Sequence, residues 1–212
     1  MNRREAFKLA CDVSLRSIDT FPEHFDIADV QGAFFRDGET LIICFRWTDS
    51  KFDWMRNFRF WKKTIPYGNK KTPIRIHAGF LSAYHAVRKL IHDKVRETGC
   101  DWVVTIGHSF GAALATLCAV DMEHNFNFEN VSCYAFGSPR VGNRAFAKSF
   151  KKRVPLMERV VYGDDIVCKV PPWWMFYKHV PGLQRIGKRG GIFARLFGVA
   201  ADHDWGKYVR AL

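Results

Sequence analysis

The chain has 212 residues, which makes one domain of ordinary size the expectation. Hydrophobic residues make up 48% and charged residues 25%, close to globular averages, and this excludes a disordered, collagenous or fibrous chain. Lys and Arg (33) outnumber Asp and Glu (21) for a formal charge of +12, so the surface carries a positive potential.

That charge suits an anionic membrane surface, acidic small molecules or nucleic acid. The basic residues come in short clusters such as Lys62-Lys63, Lys151-Lys152-Arg153 and Lys188-Arg189, without a long basic tail. No zinc-finger or RNA-recognition pattern accompanies them, so nucleic acid is not an expected partner. None of the six cysteines forms a Cys-x-x-Cys pair, and metal-ligand spacing is absent, so no metal and no cofactor are expected. Most of them lie in apolar segments, which reads as buried free thiols in a reducing compartment. Charges interrupt the first residues before any apolar core of a secretory signal can form, and no stretch reaches the roughly 18 apolar residues of a membrane span. A cytoplasmic or otherwise non-classically exported chain is the expectation.

In chain order, apolar residues at helical spacing from Ala6 to Ile18 predict a first helix. Residues 30–35 and 41–45 around Asp37-Gly38 predict a hairpin. The stretch from 48 to 67 is dense in Trp, Phe, Lys and Arg and follows no clean period. Residues 74–77 predict a short strand, and 80–97 a helix closed by Gly99. The β-branched run at 102–106 predicts a strand buried on both faces, followed by an Ala- and Leu-rich helix over 110–122. Strands at 131–136 and 158–162 flank a helix at 143–152. Beyond Pro171-Pro172 the pattern loosens, with an apolar segment at 192–201 around Arg195 and a terminal helix after His203. Alternating strands and helices predict an α/β fold with a mainly parallel central sheet flanked by helices.

Between the 102–106 strand and the next helix stands Gly107-His108-Ser109-Phe110-Gly111, a Gly-x-Ser-x-Gly pattern at a strand-to-helix turn. A serine on so sharp a turn exposes its hydroxyl above the sheet, and the glycines leave room for strand and helix to approach. The helix behind it aims its positive dipole end at the place where a tetrahedral oxyanion would form. The rival reading is a serine that merely caps the helix. A serine nucleophile needs a general base and a group to orient it. Asp164 and Asp165 follow the 158–162 strand and so stand at the same sheet edge as Ser109. His179 and His203 are the histidines that come after them. Chemistry alone leaves Asp164 against Asp165, and His179 against His203, undecided. Asp202-His203-Asp204 could bind a metal only weakly, for want of further ligands.

Taken together these segments resemble the class 3 lipase family, whose members have the α/β-hydrolase fold. The resemblance runs from about Ile42 to His203 and rests on the 107–115 elbow, on Tyr134-Ala135-Phe136-Gly137-Ser138-Pro139-Arg140, on Gly163-Asp164-Asp165-Ile166-Val167 and on His77-Ala78-Gly79-Phe80. It implies a catalytic triad of Ser109, Asp165 and His203, and an oxyanion hole from Thr48 and the amide of Phe110. It also implies a short lid at 49–60, with Trp54, Phe58 and His108 in lid or substrate-binding positions. Where the family usually has glycine this chain has Trp47, which cannot take a positive φ cheaply, so either the backbone there needs none or one oxyanion donor is compromised. The implied function is a serine ester hydrolase of lipase or phospholipase type, with a lipid ester as substrate and an anionic membrane or micelle as the surface it meets. The alternatives are a catalytically weak lipase-like binding protein and a short-chain esterase or acyltransferase.

Overall fold

The structure, a computed structural model, describes residues 1–46, 61–66 and 71–212. The expected lid at 49–60, together with Trp47, Thr48, Trp54 and Phe58, lies outside the described residues.

Helix α1 (Arg3–Leu15) starts from a capping box in which Asn2 and Glu5 exchange side-chain and backbone hydrogen bonds. Strand β1 (His24–Ile27) pairs antiparallel with β2 (Val30–Asp37), and β2 with β3 (Thr40–Phe45) through the turn at Gly38. A small two-stranded sheet, β4 (Lys62–Thr64) with β5 (Arg75–His77), leads into α2 (Ala78–Thr98). His77 is the cap of that helix: its Nδ1 accepts from the amides of Gly79 and Phe80. Then come β6 (Trp102–His108), α3 (Phe110–Asn125), β7 (Asn130–Phe136), α4 (Arg144–Arg153) and β8 (Leu156–Tyr162). Strand β9 (Leu183–Ile186), α5 (Ile192–Phe197) and α6 (Trp205–Ala211) complete the order.

The main sheet runs β1-β2-β3-β6-β7-β8-β9. From β3 onward every neighbouring pair is parallel, so the carboxyl ends of β6, β7, β8 and β9 share one edge. The strand order makes each β-α-β passage a crossover that lays its helix on a face of the sheet. One core cluster joins α2 and α3 to the sheet through Phe80, Ile91, Leu114 and Val103. The other puts α1 and α6 on the opposite face through Phe7, Phe136, Trp205 and Tyr208. Helix α3 is buried from Gly111 to Ala119 almost all round, as its apolar composition requires. The strands β1, β4 and β9 were not legible as strands. They have four, three and four residues respectively, and each is too short to show a period of two.

All six cysteines carry free thiols, five of them buried. Among the described residues no helix is long and apolar enough to cross a membrane.

Three histidines are held neutral by the fold. Burial pushes His77 down to about 4 and His108 and His179 well below the usual imidazole value, assisted by Lys62, His203 and Arg159 respectively. An unfolded chain takes protons on these rings below about pH 6.5 while the folded chain does not, so stability is present above that pH and is lost as pH falls. Urea unfolding at pH 7.5 and 5.5 is expected to show a loss of about 2–4 kcal/mol at the lower pH, up to about 1.4 kcal/mol for each proton taken up per pH unit. A flat profile over that interval contradicts the burial of these rings.

Candidate active site

The elbow after β6 is tight enough to dictate its residues. A Cβ on Gly107 would lie 2.3 Å from the carbonyl carbon of Gly111, so strand end and helix start meet only through glycine. Ser109 itself takes φ 55° and ψ −122°, a conformation that costs a non-glycine residue of order 1–3 kcal/mol. Its amide donates to the Phe136 carbonyl at 2.9 Å, which fixes the turn to β7. The Ser109 side chain makes no cap bond to α3. The hydroxyl instead lies 2.8 Å from His203 Nε2, so the capping alternative does not describe this serine.

His203 closes a short 3-10 turn (Ala200–His203) ahead of α6. Its Nδ1 lies 2.8 Å from Asp165 Oδ2. A carboxylate can only accept there, so Nδ1 carries the proton and Nε2 offers its lone pair to the serine hydroxyl. Asp165 is fully buried just beyond β8. Its Oδ1 accepts from the Val167 amide at 2.8 Å, and its Oδ2 accepts from both His203 and the Tyr208 hydroxyl, the latter at 2.7 Å. Among the described residues no Arg or Lys forms an ion pair with it. The charge is therefore held by directed donors, and it is matched by imidazolium when His203 takes a proton.

The geometry separates the members of each pair. Asp164 faces away from the serine and accepts from Arg189 Nε at 3.1 Å and the Gly190 amide at 2.8 Å, stapling the 188–190 loop. His179 is turned to the Cys168 carbonyl at 2.7 Å, while His203 reaches Ser109. Asp202 is engaged by the Asp164 amide and by Lys207 Nζ, at 2.9 and 2.7 Å, so its carboxylate is turned from His203 to the loop.

His108 stands elsewhere than the resemblance implies. It is completely buried and stacks between His203, with ring centres 4.7 Å apart, and Trp205, at 4.0 Å. It backs the base from inside the protein and presents no surface to a substrate. Phe110 opens α3, so its amide stands at the positive end of a 16-residue helix, next to the nucleophile. Thr48, the other expected oxyanion group, and the lid residues Trp54 and Phe58 are outside the described residues.

Tyr208 escaped the sequence reading, as did the aromatic packing behind the triad. Phe7 of α1 packs on Trp205 and Tyr208, with centroids 5.2 and 6.0 Å away, so the first helix supports the last. The available signal was the spacing of Trp205 and Tyr208 on one face of a terminal helix. A buried tyrosine needs a partner for its hydroxyl, and the nearest acid in the fold is the triad's own. Gly137 completes the enclosure. It has φ +56°, and a Cβ there would come within 3.0 Å of His203 Cε1 and 3.1 Å of Asp165 Oδ2.

The arrangement can polarise a hydroxyl, hold the resulting imidazolium and offer helix amides to an oxyanion. Tyr208→Phe removes one donor to the acid and leaves the ring packing. We expect the rate of Ser109 labelling by a fluorophosphonate to fall about fivefold to fiftyfold, in line with one hydrogen bond to a charged group. The melting temperature should fall by a few degrees as the buried carboxylate loses a donor, with the protein still folded at the assay temperature. An unchanged labelling rate would leave Tyr208 a packing residue only.

The sequence profile of the family Lipase (class 3) matches residues 42–175. A chloroplastic phospholipase A(1) of Arabidopsis thaliana, DAD1, is 32% identical over 149 residues, covering 62% of this chain and 33% of the relative. The secreted mono- and diacylglycerol lipase 1 of Fusarium solani is 33% identical over 145 residues, covering 66% of this chain and 41% of the relative. This chain thus spans about a third to two fifths of the length of these curated relatives. The Rhizomucor miehei lipase in its propeptide complex superposes with a TM-score of 0.79 at 21% identity, over 96% of this chain and 79% of that one, a likeness of fold. The profile covers more than half of the chain and includes the Ser109 elbow and the Asp165 segment: the chain belongs to the class 3 lipase family and has its α/β-hydrolase fold.

Proposed function

We propose that this chain is a serine ester hydrolase of lipase or phospholipase type, cleaving carboxylic esters of acyl-glycerols or phospholipids through an acyl-enzyme. One observation carries the reading: Ser109 Oγ and Asp165 Oδ2 each lie 2.8 Å from opposite nitrogens of the same buried imidazole. His203 Nε2 takes the Oγ proton as Ser109 attacks the ester carbonyl carbon. The carbonyl π electrons move to oxygen, and that oxyanion forms beside the Phe110 amide at the head of α3. Collapse expels the alkoxide, which receives the proton from His203 and leaves as an alcohol. Water then attacks the acyl-serine with His203 again as base, releasing the carboxylic acid and restoring the serine hydroxyl. Asp165, fixed by Val167 and Tyr208, holds the ring in the required tautomer throughout. We assign Thr48 as the second oxyanion donor and Trp54 and Phe58 to the acyl-chain lid on the strength of the family resemblance.

The relatives bear names of both phospholipase and mono- and diacylglycerol lipase, which supports the ester chemistry while leaving the head group open. We propose that the substrate is met at an anionic lipid surface, which the charge of +12 favours. The free thiols favour a reducing compartment.

Ser109→Ala is expected to abolish turnover of p-nitrophenyl esters, a loss of about 10⁴-fold or more, and to block fluorophosphonate labelling. Retained turnover would refute the proposal. A parent protein that is neither labelled nor turns over ester would be assigned instead to a lipase-like binding protein. A rate series over acyl length and head group then separates lipase, phospholipase and short-chain esterase.

A further inference from the structure

Two aromatic elements of this chain bury nothing. A single 3-10 turn, Trp173–Met175, has no buried residue, and it exposes Trp173, Trp174 and, just after it, Phe176 at 83%. Phe176 also has φ +60°, a costly conformation for a bulky residue that gains no burial from it. Helix α5 likewise has no buried residue, and it exposes Ile192, Phe193, Leu196 and Phe197. Phe193 and Phe197 stack at 6.4 Å on one side of the helix. A six-residue helix gains too little from its own hydrogen bonds to persist alone, and nothing intrinsic rewards four large apolar side chains in water.

Both elements are nevertheless fastened to the loop that carries the acid. The Arg195 carbonyl accepts from Lys169 Nζ at 2.7 Å, and Val199, just past α5, pairs its backbone with Asp164 and Ile166. Arg140 holds the carbonyls of Lys169 and Pro171, on the way into the Trp173–Met175 turn, and Lys62 Nζ holds the Met175 carbonyl. The two apolar projections therefore flank the segment that begins with Asp165, beside the carboxyl edge of the sheet.

The stretch of chain that carries them has charge of one sign. From 166 to 201 the chain carries Lys169, Lys178, Arg185, Lys188, Arg189 and Arg195 and no acidic residue. Lys169 and Arg189 face the buried Asp164. Lys178, Arg185, Lys188 and Arg195 are exposed. Exposed aromatic tips on a stretch of chain whose charged residues are all cationic match a bilayer bearing anionic head groups, whose interior takes the rings while the phosphates meet the cations. A water-soluble acidic protein would match the cations without accounting for the apolar tips.

We propose that the Trp173–Phe176 turn and α5 form a two-pronged anchor by which this chain docks on anionic lipid bilayers, separate from the expected lid and built on the triad's own loops. The proposal rests on the lipid-ester reading for its purpose, but its test does not require turnover. With the anchor seated, the edge carrying Ser109 and His203 faces the lipid, and the acid loop is held at a fixed depth.

The Ser109→Ala protein, which leaves the lipid intact, serves for flotation with phosphatidylcholine vesicles and with vesicles containing about one third phosphatidylglycerol. Binding is expected chiefly to the anionic vesicles, falling about tenfold or more when salt rises from about 0.05 to about 0.5 M. Phe193→Ser with Phe197→Ser, and separately Trp173→Ala with Trp174→Ala, should each weaken binding about tenfold or more while leaving the melting temperature in place. Equal partitioning into neutral vesicles, or binding untouched by both pairs of substitutions, overturns the proposal. So does a concentration-dependent dimer that these substitutions abolish without any vesicle binding, since the face then serves a second copy. Vesicle binding by a parent protein that turns over no ester would overturn the hydrolase reading alone. Ester turnover without vesicle binding would overturn the anchor alone.

Discussion

A carboxylate enclosed just past the end of β8 governs this structure. Asp165 is cut off from water and has no cation paired to it among the described residues, so its charge is tolerable only if donors converge on it. Those donors come from separated parts of the chain: the Val167 amide from its own loop, the His203 ring from the strap after α5 and the Tyr208 hydroxyl from α6. Satisfying one buried anion thus draws the C-terminal segment over the sheet edge and brings the imidazole onto Ser109. Replacing the acid by an apolar residue would remove one of the ties that hold that closure, beside the apolar packing of α6, as well as the orienting group.

The neighbouring aspartate shows how finely this is set. Asp164 and Asp165 are consecutive, so their side chains diverge, one to the 188–190 loop and one to the serine side. Chain order and residue type could not choose between them, because both carboxylates are buried and both follow the same strand. What separates them is the direction of each side chain after the turn, a tertiary fact. The same holds for His179 and His203: the first spends its ring nitrogen on a backbone carbonyl, and the second bridges two functional side chains.

Where sequence was informative, the reason is local geometry. The β6–elbow–α3 unit was legible because a buried β-branched run, a close glycine contact and an apolar helix each leave their own mark. The hairpin and the helices α1, α2 and α4 showed for similar reasons, and His77-Ala78-Gly79-Phe80 proves to be a helix cap. Tyr208, the placement of His108 behind the base, and the support of α6 by Phe7 were not legible. Each depends on residues at opposite ends of the chain meeting, and an aromatic in a short helix has the same appearance whether it fills space or donates to an acid. The sequence pointed to His108 as a substrate-binding residue. In a strand, adjacent side chains point to opposite faces, and that alternation sends His108 inward.

The loop between β9 and α6 is pinned near both ends to one short stretch of the acid segment. Arg189 and Gly190 grip Asp164 near its start, and Val199 and Asp202 bind the backbone of residues 164 and 166 near its finish. Acid and base are consequently mounted on a single closed ring of chain and shift together, so small rocking of the sheet does not lengthen the path between them. The vulnerability is correspondingly collective. Loosening any one rivet releases the ring as a unit, and such a protein falls silent by local opening while most of its sheet is still intact.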